Sequence, residues 1–138
     1  MAAAMQANVQ WQKDLVFTAT TGSGQTVHMD GNKTEAASPM ELVLAAAGGC
    51  SSVDVVSILE KARQEVTACR CEVQGERADA VPAVFTKIHL HFVVTGRDVA
   101  EKHVERAVQL SAEKYCSVAK MLEASVTLTH SFSIEQAD

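Results

Sequence analysis

The amino-acid sequence predicts an α+β fold, with helices packed on antiparallel sheets. Three observations point there. Short stretches alternate apolar and polar residues with period two, as half-buried strands do. Two longer segments carry helical starts instead. The resulting order, β-β-β-α-β-β-α-β, suits helices set against one sheet face. The chain of 138 residues is long enough for one domain, and no repeat, low-complexity tract or Pro/Gly-rich linker divides it, so a single domain over residues 1–138 is expected.

The elements follow in order. Val9 and Trp11 alternate with polar neighbours, and Leu15, Phe17 and Ala19 do the same after the Lys13-Asp14 turn. Thr21-Gly22-Ser23-Gly24 predicts a second turn before a short strand near Gln25–Met29. Ser38-Pro39-Met40-Glu41 opens a helix. Ser38 caps a free amide, Pro39 fits the first helical position, and Glu41 can return the bond. Leu42 to Ala47 is apolar on every side, which predicts burial all round. Gly48-Gly49 predicts a kink or the close approach of another backbone. A hairpin follows, over Thr67–Gly75 and Phe85–Thr95. Asp98-Val99-Ala100-Glu101 reads as a second capping box, opening a helix whose face is Val104, Ala107, Val108, Ser111 and Tyr115. A short last helix or a continuation follows Cys116-Ser117, and Ser125–Ile134 is the final strand.

Composition narrows the function. Apolar residues make up 47% of the chain and the net charge is −5, which excludes the disordered class and argues against a basic nucleic-acid or anionic-membrane binder. The apolar fraction includes 21 alanines, so the core of large side chains is modest. The longest apolar run without a charge is Leu42–Val53, short of the roughly 20 residues a bilayer needs. Met1-Ala2-Ala3-Ala4-Met5 lacks a charged leader and a long apolar stretch, so no secretory signal is expected and the cytoplasm is the expected compartment. Thiols there are mostly reduced, and the four cysteines Cys50, Cys69, Cys71 and Cys116 are too few for a disulfide-stapled scaffold.

Two cysteines stand in positions where chemistry is possible. Cys50, Asp54, Ser57 and Lys61 fall on one helical stripe, a polar line on an otherwise apolar helix. Such a line must meet water, a partner or a cavity. Cys116 sits where one helix gives way to the next, two residues after Lys114. Each is equally readable as a small core residue. Cys69-x-Cys71 and His89-x-His91 have the composition of a zinc set, but sharing an apolar face requires Cys69, Cys71 and Val73 to lie with Ile88, Leu90 and Phe92. The histidines then point the other way, and no metal site is expected.

The chain resembles the osmotically inducible protein C / organic hydroperoxide resistance (OsmC/Ohr) family. The likeness rests on the element order, on Ser38-Pro39-Met40-Glu41-Leu42 leading into Ala47-Gly48-Gly49-Cys50, and on Ala112-Glu113-Lys114-Tyr115-Cys116-Ser117-Val118. It is similar in particular to the small YhfA-like branch, through Met29-Asp30-Gly31-Asn32 and Gly48-Gly49-Cys50-Ser51. The resemblance implies an OsmC-like fold with a central buried helix, and an intertwined homodimer. It also implies a peroxidase without a cofactor, acting on organic hydroperoxides. Cys50 matches the peroxidatic cysteine and Cys116 the resolving one, and a thiol reductant such as a dihydrolipoyl protein would restore both. Where the better-studied members have a glutamate this chain has Met40, with Glu41 one residue later. Where they use an N-terminal arginine, no arginine precedes Arg63. Glu41, Asp54 and Lys33 are the candidate supporting residues, Lys33 being the only cation in the loop before the first helix. The alternatives are a redox-responsive or small-ligand-binding dimer of the same fold without efficient turnover, and a dimer whose cysteines only fill the core.

Overall fold

Alternation in the sequence becomes strand pairing in the computed structural model, which describes residues 4–138. The reading of Met1-Ala2-Ala3 falls outside those residues. The strands are β1 (Ala7–Lys13), β2 (Val16–Thr21), β3 (Thr26–Asp30), β4 (Glu65–Arg77), β5 (Phe85–Arg97) and β6 (Thr127–Gln136). The helices are α1 (Pro39–Lys61), α2 (Glu101–Leu110) and α3 (Ser117–Leu122), with a π-helical turn over Ser111–Tyr115. The chain forms two compact units that divide within α1, between Val43 and Leu44.

The N-terminal unit is an antiparallel meander of order β1-β2-β3. Val9 pairs with Ala19 and Ala19 with Val27; Trp11 pairs with Phe17 and Phe17 with Met29. The apolar set therefore shares one face, as period two requires. After β3 the chain turns around Asp30. Its carboxylate accepts from the amides of Asn32, Thr34 and Glu35 and from the Thr34 hydroxyl. These donors, the Glu35 amide first, hold the carboxyl at about 2. The predicted capping box at the start of α1 is present: the Ser38 amide donates to Glu41 Oε1 at 2.8 Å, and the Glu41 amide to Ser38 Oγ at 3.2 Å.

The C-terminal unit carries a sheet of order β4-β5-β6. Cys69 pairs with Val94, Cys71 with Phe92 and Val73 with Leu90, while Glu72 pairs with His91 and Gln74 with His89. The cysteines and histidines therefore lie on opposite faces, as the apolar pattern requires. His89 and His91 instead hydrogen-bond along β6, to Thr129, Ser131 and Ser133. β6 runs parallel to β5, where antiparallel sheets were expected. The reason is the connection: α2 and α3 form a crossover that returns the chain to the starting end of β5.

α1 continues through Gly48-Gly49 without ending. The close approach expected at the glycines is not that of another backbone: what comes close to Gly48 is a side chain, a Cβ there lying 2.8 Å from Val73 Cγ2, and a Cβ at Gly49 would meet nothing within 4 Å. Ala47, Gly48, Ser51, Val55 and Leu59 form the buried line of the helix, while Val53 is 69% exposed, so burial is one-sided in the single chain. By length and composition α1 could cross a bilayer, despite its short uncharged run; its buried line is that of a helix laid on a sheet. The expected capping box at Asp98 is absent. Asp98 takes a left-handed φ of 52° in the turn after β5, and α2 starts without a side-chain cap. The Ala100 amide donates to Gln64 Oε1 instead, at 2.9 Å.

Candidate functional site

The site begins with a change of helical register. α2 does not end at Leu110 but widens into the π turn, whose closing bond runs from the Cys116 amide to the Ser111 carbonyl, five residues back, at 2.9 Å. Such a turn absorbs one extra residue in a helix and often marks a functional position. Cys116 then leaves the helix with extended geometry (φ −74°, ψ 106°) and becomes the N-cap of α3. Its sulfur accepts from the Ala119 amide at 3.3 Å and from the Ser51 hydroxyl at 3.2 Å.

Ser51 belongs to α1 and follows Cys50, so the same contact ties Cys116 to the part of α1 that carries Cys50. Cys116 is fully buried and Cys50 half-buried, and both are free thiols. Burial pushes the Cys116 thiol up; the Ser51 hydroxyl and the Ala119 amide pull it down, and a hydrogen bond to Cys50 together with charge repulsion raises it again. Cys50 thus bears on the Cys116 thiol from 66 positions away in sequence.

Two serines complete the arrangement. Ser111, fully buried, has its hydroxyl 3.1 Å from the Ser51 carbonyl oxygen and 3.3 Å from an Asp54 carboxylate oxygen, and donates between them. Asp54 thereby ties the π turn to α1. Neither Ser51 nor Ser111 stood out in the sequence as a functional residue. Ser111 was visible only as a helix-face position, and its being polar on a buried face was the available signal.

The remaining candidates sort as follows. Glu41 is occupied by the Ser38 cap; the Ser38 amide holds its carboxyl below the usual range, and Lys33 adds attraction. Lys33 stands in the N-terminal unit with φ 58°. Lys114 does not serve Cys116: its ammonium sits over the Tyr115 ring, 5.3 Å from the centroid. Burial pushes the thiol of Cys71, on β4, up to about 11, which disfavours its thiolate. Burial raises Cys69 in the same way.

The comparisons with known proteins agree with this architecture. Residues 30–131 match the family model described as OsmC-like protein. The chain is 54% identical to protein YhfA of Escherichia coli strain K12 over 134 residues, which is 96% of this chain and all of that protein. A crystal structure of a hypothetical protein from Aquifex aeolicus superposes with a TM-score of 0.90 at 32% identity, over 99% of this chain and all of that one. An organic hydroperoxide resistance protein from Legionella pneumophila shares the fold at a TM-score of 0.71 and 16% identity, over 96% of this chain and 98% of that one. The family match, carried over most of the chain, and the whole-length relative settle one point: this chain belongs to the OsmC-like protein family.

Proposed function

We propose that the protein is a cysteine-based thiol peroxidase that reduces organic hydroperoxides, with Cys50 as nucleophile and Cys116 as resolving thiol. The observation that supports this reading is the hydrogen bond from Ser51, the residue after the half-buried Cys50, to the sulfur of the fully buried Cys116. A substrate needs access to the attacking sulfur and not to the resolving one, and the difference in burial supports that division. The Cys50 thiolate attacks the distal peroxide oxygen; the O–O bond breaks, the alkoxide takes a proton and leaves as an alcohol, and Cys50 becomes a sulfenic acid. Cys116 then attacks the sulfenic sulfur, a disulfide forms and water leaves. A dithiol reductant, of the dihydrolipoyl type or another, exchanges with the disulfide and restores both thiols. Proteins that share the fold include organic hydroperoxide resistance proteins, which supports the same substrate class.

The working unit in this reading is a cytoplasmic homodimer. Its support is apolar surface left open in the single chain: Val53 on α1 is 69% exposed, and Val9 and Trp11 on β1 are 55% and 66% exposed. A second reading, a redox-responsive dimer of the same fold with slow turnover, is favoured by one observation: no arginine precedes Arg63 to stabilise a thiolate.

Turnover of cumene hydroperoxide with dihydrolipoamide tests the first reading. Wild type consumes peroxide, Cys50→Ser loses consumption, and Cys116→Ser stops after one sulfenic acid per chain. Equal consumption by wild type and Cys50→Ser removes the peroxidase reading. A single stoichiometric oxidation by wild type, without cycling, selects the second.

A further inference from the structure

The polar stripe of α1 does not end at the thiols. Past Asp54 it lines a groove of about 530 Å3, with Ser57, Ile58 and Lys61 on one wall and Arg106, Leu110 and Tyr115 on the other. That volume is in the range of small-molecule sites. Two hydrogen bonds fix the direction of its walls. Ser111, just after α2, is tied to Asp54, and Ala100, just before α2, is tied to Gln64, just after α1. The two helices therefore run antiparallel, with Lys61 toward the Gln64 end of the groove and Arg106 near its middle, both lining it.

The two cations of the groove are outside any ion pair. Among the described residues, the ion pairs are Lys13–Glu35, Arg70 with Glu72 and Glu135, Arg97–Glu65 and Lys120–Glu123. Neither Lys61 nor Arg106 is in one, although the chain carries a net charge of −5. Two such cations in an acidic chain, with apolar Ile58 on one wall and Leu110 on the other, form a site with both charge and apolar surface. Asp54, at the far end, opposes a second negative group there.

We propose that this groove binds a small amphipathic monocarboxylate, its anionic end held by Lys61 and Arg106 and its hydrocarbon laid along Ile58 and Leu110. Arg106 offers the planar fork that matches a carboxylate, and Lys61 a second point charge. This site does not depend on the peroxidase reading, because it is read by binding in the absence of peroxide.

Calorimetric titration of the full-length reduced protein tests it, with octanoate as probe and octan-1-ol and octanedioate as comparisons. Octanoate binds, octan-1-ol and octanedioate bind at least tenfold more weakly, and added salt weakens octanoate. The Lys61→Gln/Arg106→Gln double variant loses tenfold or more in octanoate affinity, while Lys61→Arg keeps it. Both side chains are exposed, so their exchange leaves the fold intact. The proposal is overturned if octan-1-ol or octanedioate matches octanoate, if the double variant binds as wild type does, or if octanoate does not bind.

Discussion

Ser51 ties Cys116 to α1, because its hydroxyl donates to the Cys116 sulfur from the position next to Cys50. The donated hydrogen bond lowers the Cys116 thiol against the rise caused by burial. Ser51→Ala removes that donor, so Cys116 should titrate at higher pH and resolve a Cys50 sulfenic acid more slowly. Rates of alkylation against pH check the first effect. Loss of one hydrogen bond should also cost about 1 kcal/mol of stability, read by urea unfolding. Both cysteines were visible in the sequence as single residues with an equal claim to being core, and the family likeness alone paired them. Ser51 was not visible, because a serine beside a cysteine on an apolar helix has no pattern of its own. Its role comes from a contact made 65 positions away.

The helices and loops show which local signals survive tertiary packing. Ser38-x-x-Glu41 became a capping box because nothing competes for its groups. Asp98-x-x-Glu101 has the same letters and failed, because the turn after β5 places Asp98 at positive φ. The π turn had no sequence signal, since it differs from an α-helix by one extra residue. Gly48 was legible as a site of close approach but not as a partner of Val73. Gly48→Ala should destabilise by roughly 1–3 kcal/mol, because its Cβ would meet Val73 Cγ2 at 2.8 Å. Adding Val73→Ala should recover part of the loss, and a double-mutant cycle in urea measures the coupling. The Asp30 loop gives a pH test. Its carboxyl is lowered from 3.8 to about 2 in the folded chain. Its stabilisation is therefore complete above pH 4 and is lost as pH falls through 2. Asp30→Asn should lower the melting temperature at pH 7 and flatten its decline between pH 4 and pH 2.

At the scale of the whole molecule, the element order was legible because each strand carries period two and each helix an apolar face. The parallel pairing of β5 and β6 was not, because alternation sets the face of a strand and not its direction. The one-sided burial of α1 was also hidden: its sequence is apolar all round, yet Val53 is open in the single chain. If a second copy covers that face, sedimentation should give twice 14.7 kDa. Val53→Asp should then shift the population toward a single subunit. An unchanged dimer with Val53→Asp assigns the contact to another surface.

The Cys116 sulfur also serves as the cap of α3, through the Ala119 amide. A short helix held at its first turn by one sulfur registers what happens to that atom. Once the sulfur is oxidised or alkylated, amide protons in residues 119–122 should exchange with deuterated solvent faster than those of α1. Mass spectrometry of the peptide spanning them would then report the state of the thiol through the backbone, with no probe attached to it.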